Sequence, residues 1–328
     1  MYFNKTSFTA SNLAKQITLK KLVDLKKYYQ KAYVIRVVAL YLQTQILTKM
    51  NRRNFLKGSA ALAGTGLLTS LYTWQIEPHW VEFVKRDLPI KNLPKHLVGK
   101  RLVQLSDIHV GPFVNDFFLQ DSMHLTSMLN PDFVVYTGDF VHYEGSTTEK
   151  QLAKIGKSFV KGKLGTFGVL GNHDYGDTFS EARVAENITD IVENSGVTVL
   201  RNQNIEIEGL NIIGLDDFWS TNFHPNKPLS SYDPEMGNLV LSHNPDSCDA
   251  GIWGNYKGWI LSGHTHGGQI RPPLLNAPIL PLDNKRYVAG EFDLFDGRKL
   301  YVNRALGHQE QLRFNSRPEI TVFNLTRA

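Results

Sequence analysis

Leu102-Val-Gln-Leu-Ser106, followed at once by Asp107-Ile-His109, is the stretch that organises the rest of the chain. A mostly apolar run of strand length ends in a carboxylate and an imidazole, so a buried strand delivers polar groups at its C-terminal tip. The same event recurs four times. Phe133-Val-Val-Tyr-Thr137 runs into Gly138-Asp139, Gly168-Val-Leu170 into Gly171-Asn172-His173, Leu239-Val-Leu-Ser242 into His243, and Trp259-Ile-Leu-Ser262 into Gly263-His264-Thr265-His266. Open α/β sheets collect ligands at the carboxyl ends of their strands, so these five tips predict one shared site.

Amphipathic stretches separate the runs. Helices are expected over Asp116–Asn130 and Phe179–Ser195, the second capped by Thr178 or Ser180 and stopped by Gly196. Further strands are expected over 205–207, 210–215, 291–295, 299–303 and 319–325, with turns at Glu208-Gly209 and Asp296-Gly297. Strand–helix alternation early and strand-rich sequence late predict an α/β (α+β) domain of two stacked sheets flanked by helices. Residues 218–237 and 271–287, rich in Pro, Asn, Asp and Ser, read as long loops.

Charge is spread unevenly over the 328 residues: the formal +5 splits into +8 over residues 1–49, +2 over 50–80 and −5 over 81–328. A phosphate-tracking surface needs its Lys and Arg on the folded body, so the balance argues against a nucleic-acid partner. The lone Cys248 excludes an internal disulfide framework and a cysteine-rich metal site, and reads as a small buried hydrophobe. Met50-Asn-Arg-Arg-Asn-Phe-Leu-Lys57, then 14 uncharged residues from Gly58 to Leu71, form a charged n-region and a weak h-region. That stretch is short of the ~20 apolar residues of a membrane span. Arg52-Arg53 with Phe55-Leu56-Lys57 resembles a twin-arginine export signal, which implies the twin-arginine export machinery as a partner and a cell-envelope location. The chain thus divides into three parts. Residues 1–49 are either a basic amphipathic extension at a membrane surface, with Lys20-Lys21 and Lys26-Lys27 among leucines, or a stretch upstream of initiation at Met50. Residues 50–80 are the signal or, since no Ala-x-Ala site follows, a retained membrane anchor, and 81–328 are the folded body.

At the strand tips the donors are nitrogen and oxygen without thiolate, a set that suits Mn, Fe or Zn better than an all-oxygen calcium site. Asp107 and His109, two residues apart in an extended exit, are expected to point to one side, and Thr265 spaces His264 and His266 in the same way. Seven side chains exceed one tetrahedral zinc and suit two divalent metal ions about 3.5–4 Å apart. Asp107, His109 and His266 would hold one, Asn172, His243 and His264 the other, with Asp139 between them. A bridging hydroxide would then attack phosphorus in line, leaving His173 to stabilise the transition state or protonate the leaving oxygen.

Asp-x-His, Gly-Asp, Gly-Asn-His-Asp, a strand-terminal His and Gly-His-Thr-His, in that order over residues 100–270, closely resemble the signature of the calcineurin-like metallophosphoesterases. The resemblance implies an αββα four-layer sandwich of two mixed sheets, the same ligand roles, catalysis by His173, and Asp174 as the residue that orients it. Ile76-Glu-Pro78, Leu105–Gly111, Gly263–Gln269 and Arg317-Pro-Glu319 look like one branch of exported or membrane-associated bacterial enzymes. That branch also includes hydrolases of UDP-2,3-diacylglucosamine. The implied substrates are therefore phosphorylated small molecules, nucleotide-linked or lipid-linked, cleaved at a phosphodiester, phosphomonoester or pyrophosphate. Gly307-His-Gln-Glu-Gln-Leu-Arg313 departs from that branch, which tends to carry a Gly-rich, Ser/Thr-containing loop there, and this puts the substrate's identity in question.

Rival readings follow from the same residues. Hydrolysis of UDP-2,3-diacylglucosamine in lipid A synthesis would place the chain peripherally on the cytoplasmic face, which conflicts with an export signal. A non-catalytic scaffold on this fold should show substitutions among the ligand positions, and none is seen. His124 and His142 lack such company and read as a helix-face and a loop residue, and His224 and His308 as solvated loop residues. Asp216-Asp217 is either an ordinary turn or a pair holding a ligand imidazole. Arg304, Arg313 and Arg317 are read as carboxylate partners ahead of phosphate binders, and Trp253, Tyr256 and Trp259 as core.

Overall fold

The computed structural model describes residues 31, 33–41, 43 and 51–328 other than 274 and 276. The basic stretch 19–27 and Met50 lie outside the described residues. Residues 31, 33–41 and 43 are helical with exposed side chains, and α1, Arg52–Leu71, buries none of its 20 residues. Among the described residues no helix is long and apolar enough to cross a membrane. The chain divides between Leu68 and Thr69 into two compact units, and the second holds every strand found among the described residues.

In that unit the strand runs alternate between two faces, which forces layering. Six strands form the first sheet: β1 (Glu82–Ile90), β2 (Arg101–Leu105), β3 (Phe133–Thr137), β4 (Gly165–Val169), β5 (Thr198–Val199) and β12 (Glu319–Arg327), in the order β1-β12-β2-β3-β4-β5. Its one antiparallel junction is β12 with β2; β1 with β12 and β2 through β5 pair in parallel. The second sheet has the order β10-β11-β9-β8-β7-β6, from β6 (Gln203–Ile207), β7 (Leu210–Gly214), β8 (Gly237–Leu241), β9 (Gly258–Ser262), β10 (Gly290–Asp293) and β11 (Arg298–Val302). Only its two edge pairings, β10 with β11 and β6 with β7, are antiparallel.

Period-2 alternation puts Phe133, Val135, Phe167 and Val169 of the first sheet against Leu239, Leu241, Trp259 and Leu261 of the second, in one shared core. Val103, Leu105, Val134 and Tyr136 face the other way, onto α2 (Asp116–Ser127), α3 (Ser146–Ile155) and α4 (Ala182–Asn194). The outer face of the second sheet, with Val240 and Ile260, is covered by the single turn α5 (Asn226–Leu229), the 3₁₀ turn at Pro245–Asp249, and loop residues including Leu280, Leu282 and Tyr287. The four-layer sandwich expected from the sequence is present, with one helical layer reduced to turns and loops. Cys248, Trp253, Tyr256 and Trp259 are buried, as expected.

Local boundaries differ where side chains override propensity. α2 stops at Ser127, three residues before Asn130, which takes φ 53°. α4 begins at Ala182 after Glu181, and neither Thr178 nor Ser180 caps it; the Thr178 hydroxyl instead donates to the Glu181 carboxylate at 3.2 Å. Gly196 ends it at φ 85°, as expected. Residues 218–237 are not wholly loop, since α5 lies within them.

Candidate active site

All five tips open at the same end of the sandwich. Asp107 and His109 leave β2, Asp139 leaves β3, and Asn172, His173 and Asp174 leave β4 in a 3₁₀ turn. From the facing sheet His243 leaves β8, and His264 and His266 leave β9. All seven expected ligands are buried, as is Asp174, while His173 is half-buried.

An extended exit is not how these side chains converge. Asp107 (φ 51°), His109 (φ 50°), Asp139 (φ 51°), His264 (φ 71°) and His266 (φ 52°) all sit in the left-handed region, which non-glycine residues rarely occupy. Both i, i+2 pairs therefore reach one side by a sharp turn of backbone rather than by strand alternation, a correction to the spacing argument. The surrounding bonds hold the turns in place: Asp107 N–H donates to Gly138 O at 2.9 Å and His109 N–H to Asp139 O at 3.1 Å.

Two clusters result. Asp107, His109 and His266 form one and Asp139, His243 and His264 the other, the ligating atoms within each lying inside 4.8 Å of one another. His109 Nε2 stands 3.0 Å from His266 Nε2 and 3.5 Å from Asp139 Oδ2, while His243 Nε2 lies 3.2 Å from that same carboxylate oxygen. Asp139 is thus placed between the clusters. His243 Nδ1 is 2.7 Å from Thr137 O and His264 Nε2 is 2.9 Å from Pro281 O. Each backbone carbonyl takes one ring proton and leaves the other nitrogen's lone pair facing inward, the arrangement that orients imidazoles toward a cation.

The residues fit two divalent ions. Asp139 Oδ2 and Asn172 Oδ1 are buried acceptors without a hydrogen-bond donor, a costly state unless a cation satisfies them. The two facing Nε2 atoms of His109 and His266 share at most one proton between them. Burial alone would raise the Asp139 carboxyl, yet His243 and His173 outweigh it and hold it well below the usual carboxylate range. Asp107 is likewise held low against its burial, chiefly by His266. Burial depresses His109 strongly and His264 to about 3, so both rings are neutral donors. His243 goes the other way, raised against its burial by Asp139.

His173 lies beside the clusters. Its backbone N–H donates to Asp139 Oδ1 at 2.9 Å, and its ring stacks on His142 at 5.2 Å and meets Phe179 edge-on at 5.0 Å. Burial lowers its pKa against the pull of Asp139. Both oxygens of Asp174 accept from backbone N–H groups, Gly171 at 2.8 Å and Val141 at 3.2 Å. Asp174 thereby ties the loop that carries His173 to the turn after Asp139. Gln309, from the loop whose sequence departs from the branch pattern, brings its side-chain amide within 3.1 Å of His173 Nε2. One amide orientation donates to a neutral ring and the flipped one accepts from an imidazolium.

Several residues escaped the sequence. His142 groups with His109 and His173, all ligating atoms inside 4.8 Å; its place three residues after Asp139 was the available signal. Trp219 packs edge-on against His264 at 4.6 Å and, with Phe179, makes an aromatic wall that no spacing announces. A cavity of about 120 Å³ opens between His264, His266 and Gln309 on one side and Ile270, Pro278 and Ile279 on the other. His308 is fully buried with Nε2 2.9 Å from Phe113 O, not solvated. Asp216 binds Arg201, Tyr175 and Asn222, and Asp217 accepts from Trp219 N–H, so their hydrogen bonds go to no ligand imidazole. Arg304 pairs with Glu82 and Glu319 as expected; Arg313, expected to meet a carboxylate, donates to backbone carbonyls, and Arg317 lies over Trp80.

Known proteins are similar to this chain in sequence. Residues 100–268 match the family described as calcineurin-like phosphoesterase, and residues 49–69 match the twin-arginine translocation pathway signal sequence. The chain is 31% identical over 282 residues to phosphodiesterase YaeI of Escherichia coli, covering 84% of this chain and 99% of that one. It is 31% identical to the uncharacterized metallophosphoesterase YkuE of Bacillus subtilis, over 85% of this chain and 99% of that one. With the UDP-2,3-diacylglucosamine pyrophosphatase LpxG of Chlamydia trachomatis the identity is 30%, over 80% and 96%. This chain belongs to the calcineurin-like phosphoesterase family and is a metal-dependent phosphoester hydrolase with a twin-arginine signal.

Proposed function

We propose that this chain is a dinuclear hydrolase of phosphodiester or pyrophosphate bonds that acts at the cell envelope after twin-arginine export. Asp107, His109 and His266 would hold one divalent ion and Asn172, His243 and His264 the other, with Asp139 available to both; Mn, Fe or Zn suits the donor set. The supporting observation is the pair of buried clusters facing each other across Asp139, with Asp139 Oδ2 and Asn172 Oδ1 otherwise unsatisfied. When bound, the two ions would supply Lewis acidity at the phosphoryl oxygens and lower the pKa of a water nucleophile. His173, half-exposed beside the clusters and steadied by His142, Phe179 and Gln309, is the group placed to carry a proton to the leaving oxygen. His173→Ala is expected to lower kcat by roughly 10²–10⁴-fold while metal analysis still finds two ions per chain. Undiminished turnover would refute the proton-transfer role.

A second reading, hydrolysis of UDP-2,3-diacylglucosamine, is supported by the similarity to LpxG and by Ile270, Pro278 and Ile279 beside His266. Assaying the protein with Mn²⁺ against simple diesters, nucleotide pyrophosphates and the UDP-linked lipid separates the two. A preference for the lipid by kcat/KM would select the second reading.

A further inference from the structure

The residues that follow α1 are built into the catalytic unit. Tyr72–Ile76 makes a π turn and Glu77–His79 a 3₁₀ turn, and the Glu77 carboxylate is 1% exposed. Its Oε1 accepts from Ser316 N–H at 2.6 Å. On one side of it Thr73 O accepts from Arg313 N–H and Trp74 O from the Gln311 amide, both at 2.9 Å. On the other, Arg317 donates to Trp80 O and Val81 O, with its guanidinium 4.1 Å from the Trp80 ring centre. Residues 73–81 are thus bonded along the whole of 311–317. This pairing accounts for the two short motifs Ile76-Glu-Pro78 and Arg317-Pro-Glu319, which the ligand set leaves unexplained.

From Ser316 the connections run on to the Asp107/His109/His266 cluster. Its hydroxyl donates to His266 O at 3.0 Å and Gly267 O at 3.3 Å. The buried Arg313 guanidinium donates to Ser316 O at 2.7 Å and to Gly307 O at 2.5 Å, and Gly307 N–H donates to Asp107 O at 2.8 Å. Glu77 is one of the carboxylates offsetting that guanidinium's charge. One acidic side chain is therefore linked through Ser316 to the backbone of His266, and through Ser316, Arg313 and Gly307 to that of Asp107.

We infer that Glu77 is a positioning residue for the Asp107/His109/His266 cluster, and that residues 73–80 are a strap the mature enzyme keeps. Processing of the export segment then has to fall upstream of Glu77, or not occur. Partners that orient metal ligands from behind change metal affinity by roughly 10–100-fold when removed. In the full chain, Glu77→Ala is expected to weaken one of two Mn²⁺ sites by about that factor, read by titrating the chelated protein. Glu77→Gln, whose amide oxygen still accepts from Ser316, should restore most of it. The kcat of Glu77→Ala should recover at saturating Mn²⁺, which a general loss of folding would not allow. Two Mn²⁺ bound at wild-type affinity by Glu77→Ala would overturn the assignment. The inference rests on the ligand set proposed above, and a wild-type chain that takes up no Mn²⁺ would count against that set. The strap is then decided by N-terminal sequencing of the exported protein: an end that retains Glu77 supports it, and one that removes Glu77 overturns it.

Discussion

Asp107, His109, Asp139, His264 and His266 share a backbone conformation that costs L-residues on the order of 1–3 kcal/mol each when they are held in it. Neighbours without side chains make it feasible. Gly138, itself at φ 91°, lies against the His243 ring, and a Cβ on Gly263 would collide with the Asp107 carboxylate and the Ser106 hydroxyl. Gly263→Ala is accordingly expected to destabilise the protein by about 1–3 kcal/mol and to drop bound Mn²⁺ below two per chain, checked by urea unfolding and metal analysis together. Which residues gather at the candidate site was legible at this scale, because donor type and strand-tip position can be read from residues. The left-handed turns were not, since φ at a non-glycine is set by the bonds around it.

Helix starts and sheet edges depend on single polar contacts. Asn115 Oδ1 accepts from Phe117 N–H at 2.8 Å and Phe118 N–H at 3.3 Å, capping α2. Asn115→Ala should cost about 1 kcal/mol, seen as a lower urea midpoint with an unchanged slope. At the start of β3, Asp132 accepts from Arg101 N–H at 2.9 Å and Lys100 at 3.2 Å. Burial would raise its carboxyl, but those two partners outweigh it and hold it below its ordinary value. A depressed folded pKa gives stability that is present above the unfolded value, about 3.9, and lost as pH falls through the folded one. Asp132→Asn should therefore flatten the acid limb of the stability curve below about pH 4, followed by thermal melts across pH; an unaltered limb would count against the pairing. Among the elements that the sequence did not announce, two were hidden for identifiable reasons. β1 carries Lys85-Arg86-Asp87 and Pro89, which an edge strand tolerates and a pattern search rejects. α3 buries only Thr148, Leu152 and Ile155, too thin a stripe to announce a helix.

For the molecule as a whole, charge divides by role. Residues 81–328 carry −5 before any metal is bound, and the excess positive charge lies in residues 1–80, within which the twin-arginine signal matches residues 49–69. Two divalent ions would bring the catalytic unit near neutrality. Because ions bound at the junction of both sheets are bound only by the folded state, they stabilise it by mass action. Chelation is expected to lower Tm, with about 2.7 kcal/mol lost relative to metal at 100 times its Kd, and re-addition of Mn²⁺ should restore the melt. An identical Tm with and without chelator would argue against ions bridging the sheets.

Local sequence was enough for the layering, for the end of the sandwich at which the candidate ligands gather, and for their donor types. These follow from period-2 burial and from donors at strand tips, both local properties. Only the folded chain shows how the candidate ligands turn inward, which aromatic and amide groups surround His173, and that Glu77 is joined to His266 through Ser316. Each of these depends on contacts between residues far apart in the chain, 239 positions in the case of Glu77 and Ser316, which no local pattern encodes.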